Sequence, residues 1–217
     1  MCLFSFITLR SFFNFYEILL MTKSTTELLT PLLEYLQLFS PISQGFIDEH
    51  VSYCTFTTIK KSKFILSPID QNESFYFLVK GFVRGFIRER GKDITTWFSS
   101  ENDIVGAIKH PERPKSHSVE YLQALEDCDL IVIPYKLLES IYGKYKEGQI
   151  IGRKLIALKY YAASQRAILA RIPNATDRFK RLVESGTVDL NRVPMRYLSS
   201  YLGIRIETLS RIRGKKE

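Results

Sequence analysis

Near the C-terminus the run LSSYLGIRIETLSRIRGKK places Glu207, Ser210 and Arg211 at positions i, i+3 and i+4. On a helix that spacing sets all three on one face. Their types suit the reading of base edges in the DNA major groove. Arg can bond guanine O6 and N7 in parallel, Glu can accept from cytosine N4, and Ser can donate or accept. Arg205, Arg213, Lys215 and Lys216 flank the trio, and cations so placed contact phosphates, which position a helix without reading sequence. The plainer alternative is a short solvated basic helix. It leaves unexplained why a helix, a glycine and well-placed apolar residues precede the trio.

Those preceding residues supply the positioning elements. In Arg196 to Gly203, Leu198 and Leu202 lie four apart on one helical face, and Gly203 can take the left-handed conformation that stops the helix. The turn is then Gly203, Ile204 and Arg205. A second helix from Ile206 to about Lys216 turns Leu209 and Ile212 toward Leu198, Leu202 and Ile204. The segment ATDRFKRLVES is expected to form a supporting helix capped by Thr176 or Asp177, with Phe179, Leu182 and Val183 inward and Arg178, Lys180 and Arg181 in solvent.

This helix-turn-helix resembles the recognition motif of the Crp/Fnr superfamily of bacterial transcription regulators, and its ETLSR core is similar to the Fnr branch. The resemblance implies that Glu207, Ser210 and Arg211 read the half-site. It also implies a palindromic double-stranded operator, RNA polymerase as a further partner, and a cytoplasmic location. The Crp branch usually has Arg where Ile206 stands, so its sequence preference is not implied.

Composition is compatible with such a protein. The chain of 217 residues is 45% hydrophobic and 25% charged, ordinary for a globular protein with one large or two small cores. Its net charge of +8 is uneven: from Arg171 to Glu217 there are 11 Lys and Arg against 5 Asp and Glu. Such clustering raises affinity for polyanions in a salt-dependent way. Cys2, Cys54 and Cys128 lie far apart with no CxxC spacing, which argues against a zinc site or a disulfide scaffold. It also argues against an iron–sulfur sensor, which normally needs four cysteines. No catalytic constellation is present, and neither cofactor nor metal is expected. The apolar N-terminal stretch is interrupted by Arg10, Asn14 and Glu17 and lacks a cleavage site. It reads as an extension, residues 1–21, before a start at Met21, and no membrane partner is expected.

Residues 25–50 read as helical, with Leu28, Leu29, Leu32, Leu33 and Leu36 on one face. From Val51 to about Pro134 the period changes to short β-branched and aromatic runs: VSYCTFTTI, KFILS, SFYFLV, FVRGFIRER, ITTWFSS, SVEYLQALED and LIVIP. Turns at Gly81 and RGKD separate several of them, so residues 22–134 are expected to form a small barrel or antiparallel roll. The stretch FYFLVKGFVRGFIRERGKDITTWF is similar to the cyclic-nucleotide-binding roll of the same superfamily. That family usually carries a Gly-Glu pair and a later Arg that clamps the cyclic phosphate. Here Gly106 is followed by Ala107, and Ser116 to Val119 stand where the Arg belongs. Without a guanidinium the phosphate loses its bidentate partner, so cyclic AMP is expected to bind weakly or not at all. Gly106, His110, Arg113, Lys115 and His117 form a candidate effector loop for another anion; the simpler reading is a solvated basic loop around two prolines. With no HxH pair and no HExxH helix, a metal-dependent cupin enzyme is poorly supported. The rival reading is a small-molecule-binding or cupin-like barrel with a non-specific basic tail.

Between roll and tail, residues 135–172 read as one long helix. Ile151, Leu155, Leu158, Ala162, Gln165, Leu169 and Ile172 alternate spacings of four and three, a heptad seam. Its simplest partner is its own copy, giving a homodimer whose recognition helices meet successive major grooves. The alternative is packing on the chain's own roll. The expected architecture is therefore α+β: an N-terminal antiparallel β-roll sensor (22–134), a long dimerisation helix (135–172) and a C-terminal helix-turn-helix domain (173–217).

Overall fold

The leucines of the N-terminal region recur at helical spacing, and Leu29, Leu32, Leu33 and Leu36 are buried on one face of helix α1, residues 26–37. A computed structural model of the protein describes residues 26–70, 73–106 and 118–214. Leu28, expected on the buried face, is half exposed. The helical stretch expected to run on to residue 50 is instead broken before Pro41, because the residue preceding a proline is driven away from helical angles. It resumes as α2 (Gln44–Tyr53), where Ser43 Oγ accepts from the Phe46 amide. Val51 to Tyr53, expected to open the first strand, therefore close a helix.

Eight strands follow among the described residues: β1 (Thr55–Ile59), β2 (Phe64–Leu66), β3 (Ser74–Lys80), β4 (Val83–Glu89), β5 (Lys92–Ser99), β6 (Asp103–Val105), β7 (Tyr121–Ala124) and β8 (Cys128–Pro134). They pair antiparallel in two four-stranded sheets, ordered β1-β8-β3-β6 and β2-β7-β4-β5. Leu66, Leu78, Val83, Val105, Leu122, Ala124, Cys128 and Leu130 bury one cluster of the roll. The β4–β5 hairpin closes on Arg90 and Gly91, with φ of 49° and 75°. Two successive left-handed residues make the tight turn that matches strand twist.

Where one long helix was expected there are two, α3 (Tyr135–Lys144) and α4 (Lys146–Arg171), separated at Tyr145, whose backbone is extended. Glycines make this possible. A Cβ at Gly148 would stand 2.4 Å from Ile141 Cγ2, and one at Gly152 would stand 2.5 Å from Tyr142 Cε1, so α4 folds back against α3 only where side chains are absent. Helices α5 (Ala175–Ser185), α6 (Met195–Leu202) and α7 (Ile206–Gly214) end the described chain. Asn174, not Thr176 or Asp177, caps α5: its side-chain oxygen accepts from both of their amides. Val183, expected inward, is half exposed, whereas Leu182 is buried. The α+β order of roll, long helix and helical C-terminal unit is the one expected. No described helix is long and apolar enough to cross a membrane.

Candidate nucleic-acid interface

Helix α6 stops at Gly203, which adopts φ 63° and donates its amide to Ser200 O, while the Ile204 amide donates to Ser199 O. These bonds satisfy the last carbonyls of the helix and turn the chain sharply into α7. Leu198, Leu202 and Leu209 are buried in a cluster that also holds Leu169, Leu182, Val193, Phe82 and Leu125. Because Leu209 is fixed inward, the opposite side of α7 must face solvent. Glu207, Ser210 and Arg211 are all exposed there, and Glu207 lies in the first turn, where the helix dipole favours a negative charge. Arg205 is exposed at the start of α7, and its carbonyl accepts from the Leu209 amide. Arg213 is exposed with Nη1 3.2 Å from Met195 Sδ. Lys215 and Lys216 lie outside the described residues.

Three arginines have roles that local pattern did not reveal. Arg178, expected in solvent, donates from Nε to Leu202 O at 2.9 Å and from Nη1 to Ile172 O and Pro173 O. It binds the end of α6 to the end of α4. Arg192 bonds both Glu101 and Glu126, and these contacts hold the Glu101 carboxyl well below the ordinary range, at about 2. Arg84 is 2% exposed on β4, ion-paired to Asp93 at 2.8 Å, with Tyr197 of α6 stacked 3.7 Å from its guanidinium. Arg192 meets Glu126 and Glu101 across 66 and 91 residues of sequence, and Arg84 meets Tyr197 only once α6 docks on the sheet, so no spacing rule could have found these contacts.

The expected seam on α4 divides. Ile151 and Leu155 pack into the cluster formed with α1, α2 and the β1-β8-β3-β6 sheet. Leu169 and Ile172 pack into the C-terminal cluster. Ala162 and Gln165 are partly buried between these ends, and Leu158 is half exposed. Both ends of that seam are thus occupied within the chain. The opposite side of α4 bears a second run with the same spacing, Ile156, Tyr160, Ala163, Ala167 and Ala170, all exposed.

Inside the roll, the Trp97 indole lies where a side chain at position 85 would begin: a Cβ on Gly85 would meet Trp97 Cε2 at 2.1 Å. Trp97 packs against the interior cluster and donates from Nε1 to Glu120 Oε1 at 3.2 Å. Thr96 Oγ1 donates to the same carboxylate oxygen. Of the candidate effector loop only Gly106 is described. It closes on Phe75, whose Cδ1 would be 2.6 Å from a Cβ. Ala107, His110, Arg113, Lys115, Ser116 and His117 lie outside the described residues. Among the described residues no group of three His, Cys, Asp or Glu could hold a metal ion.

A two-sheet roll is thus joined through a long helix to a helix-turn-helix. Residues 56–153 match the cyclic nucleotide-binding domain family. The chain is 26% identical over 171 residues to the fumarate and nitrate reduction regulatory protein of Vibrio cholerae, covering 72% of this chain and 66% of that one. It is 27% identical over 171 residues to the anaerobic regulatory protein of Aggregatibacter actinomycetemcomitans, with coverage of 72% and 65%. The match therefore spans slightly less than two thirds of the length of these relatives. FixK2 from Bradyrhizobium japonicum shares the fold at a TM-score of 0.62 and 22% identity, over 75% of this chain and 83% of that one. Residues 56–153 belong to the cyclic nucleotide-binding domain family, and the chain is homologous to the Crp/Fnr regulators.

Proposed function

We propose that the protein is a sequence-specific, DNA-binding transcription regulator of Crp/Fnr type, acting as a homodimer on a palindromic operator in the bacterial cytoplasm, and not an enzyme. The observation that carries this reading is the solvent-facing set Glu207, Ser210 and Arg211, held outward by the burial of Leu209. Arg205 and Arg213, with Lys215 and Lys216, serve the phosphates on either side. The partner copy sits on the open side of α4, along Ile156, Tyr160, Ala163, Ala167 and Ala170, because the side holding Ile151 and Leu169 is already filled. RNA polymerase is a further partner of a regulator of this kind.

The roll does not take cyclic AMP. Ala107 replaces the ribose-binding Glu, Ser116 to Val119 supply no guanidinium, and the Trp97 indole fills space beside Gly85 in the interior. An anion held by the loop carrying His110, Arg113, Lys115 and His117 is the effector this roll is suited to sense.

The test is selection of bound duplexes from a random pool, followed by competition at fixed salt. Arg211→Ala relaxes specificity at one base pair of each half-site, costing about 1–3 kcal/mol, while Arg205→Ala weakens all duplexes alike. Equal losses on selected and random DNA for both variants would defeat the assignment of readers. Calorimetric titration with cyclic AMP shows no binding heat, and saturable binding would overturn the reading of the roll.

A further inference from the structure

The C-terminal helix pair does not hang from α4 alone. It is seated on the outer side of the β2-β7-β4-β5 sheet by three separate sets of contacts. Arg192, in the segment before α6, donates Nε and Nη2 to Glu126 at 2.9 and 2.7 Å, and Nη1 and Nη2 to Glu101 at 2.8 Å each. Glu101 Oε1 also accepts the Gly81 amide at 2.8 Å, which ties the same carboxylate to the turn between β3 and β4. One guanidinium thereby bridges two loops of the roll through paired, charge-assisted bonds. On α6, Ser200 Oγ donates to Asp93 O and accepts from the Thr95 amide, both at 3.0 Å. Strand β5 is the edge of its sheet, and an edge strand offers backbone groups in need of partners. A single hydroxyl satisfies two of them. Between these points Arg84 lies sandwiched with its guanidinium 4.0 Å from the Phe86 ring and 3.7 Å from the Tyr197 ring. Phe98 of β5 meets Tyr201 of α6 edge-on at 5.3 Å.

With the helix pair so seated, Glu207, Ser210 and Arg211 remain exposed, so seating does not mask the readers. We propose that Arg192 and Ser200 are positioning residues for DNA recognition: they lock the helix-turn-helix to the roll in the attitude that presents α7. This rests on the reading of α7 as the base-reading helix. Two recognition helices must match the spacing of two half-sites, and a tethered but unseated helix pair samples many attitudes of which few match. Apparent affinity falls in proportion to the population of the competent attitude. The roll therefore sets the position of the readers directly, through β5 and the β5–β6 and β7–β8 turns, as well as through α4.

The experiment uses the full chain and the duplex the wild type selects from a random pool. Thr95 amide exchange reports seating, because that N–H is bonded to Ser200, and amides of the β3–β8 ladder report global unfolding. Arg192→Ala speeds Thr95 exchange by about tenfold with ladder protection retained, and weakens the selected duplex by about fivefold while random DNA binds as before. Arg192→Lys, which keeps the charge but loses the fork, falls between. The double variant Arg192→Glu with Glu101→Arg, which moves the cation between two carboxylates, recovers both readouts. Unchanged Thr95 exchange in Arg192→Ala overturns the lock, and so does faster exchange with equal or tighter binding of the selected duplex. If the wild type prefers no duplex, the base-reading assignment fails, and Thr95 exchange still decides whether Arg192 seats the helices.

Discussion

Gly85 and Trp97 are a matched pair in which each residue type explains the other. The indole lies so near the Gly85 Cα that even a methyl would overlap it, at 2.1 Å from Cε2. Overpacking a filled interior costs about 1–3 kcal/mol, so Gly85→Ala lowers the thermal midpoint, and adding Trp97→Ala restores part of the loss. Additive losses in the double variant, measured by thermal denaturation, would break the pairing. Residues such as these are not legible in the sequence, whereas the shared exposed face of Glu207, Ser210 and Arg211 is. Glu207, Ser210 and Arg211 are neighbours through helical spacing within α7, a nine-residue helix. Gly85 meets Trp97, Arg84 meets Tyr197, and Arg192 meets Glu101 only after strands pair and the C-terminal helices dock. Pattern gives such residues no distinguishing mark: Arg84 is one more basic residue in a β run, yet it is among the fully buried side chains.

At the scale of elements, α4 shows why a heptad pattern underdetermines an interface. Two runs with spacings of four and three share this helix, on opposite sides. The more apolar run reads as the seam between copies, but larger apolar residues are also what an intrachain core recruits, and Ile151 and Leu169 are buried by their own chain. The run left open is built on Ile156 and Tyr160, 66% and 77% exposed, with alanines beyond them. Small residues on that stripe permit close approach of a second helix. A charge placed there has no partner once desolvated, so Tyr160→Glu weakens self-association by about tenfold or more without loss of fold, as large aromatic anchors do when replaced. Leu155→Ala, in contrast, lowers thermal stability and leaves the assembly state alone. Sedimentation of the two variants separates the faces, and a dimeric Tyr160→Glu chain at the wild-type dissociation constant would return the interface to another surface. Roll and helix-turn-helix were legible as elements because alternation, turn residues and the Gly203 stop are local. The break at Tyr145 was not, since it depends on Gly148 and Gly152 meeting α3 face to face.

For the whole molecule, the junction between roll and C-terminal helices depends on charge and therefore on pH. Arg192 hydrogen bonds, joined by the Gly81 amide, hold the Glu101 carboxyl at about 2, against an ordinary 4.5. A carboxyl depressed on folding stabilises the folded state fully above its unfolded value, and that stabilisation declines as pH falls toward the folded value. The window thus opens near 4.5 and closes near 2. Glu101 is about a third exposed, with Arg192 less so, which lets salt weaken the contact in part. In Glu101→Gln the charge is absent at every pH, so the stability gap between wild type and variant is widest at neutral pH and narrows steadily through that window. Added salt shrinks the gap at neutral pH as well. Thermal midpoints of both chains between pH 2.5 and 7 test this, and a gap independent of pH would mean that Arg192 gains nothing from the charge on Glu101. Because the junction is where the roll meets the C-terminal helices, acid should loosen their coupling before the roll's apolar interior fails. Exchange at Thr95 should then accelerate at a higher pH than exchange in the β3–β8 ladder, and simultaneous loss of both would show that roll and helices unfold as one unit.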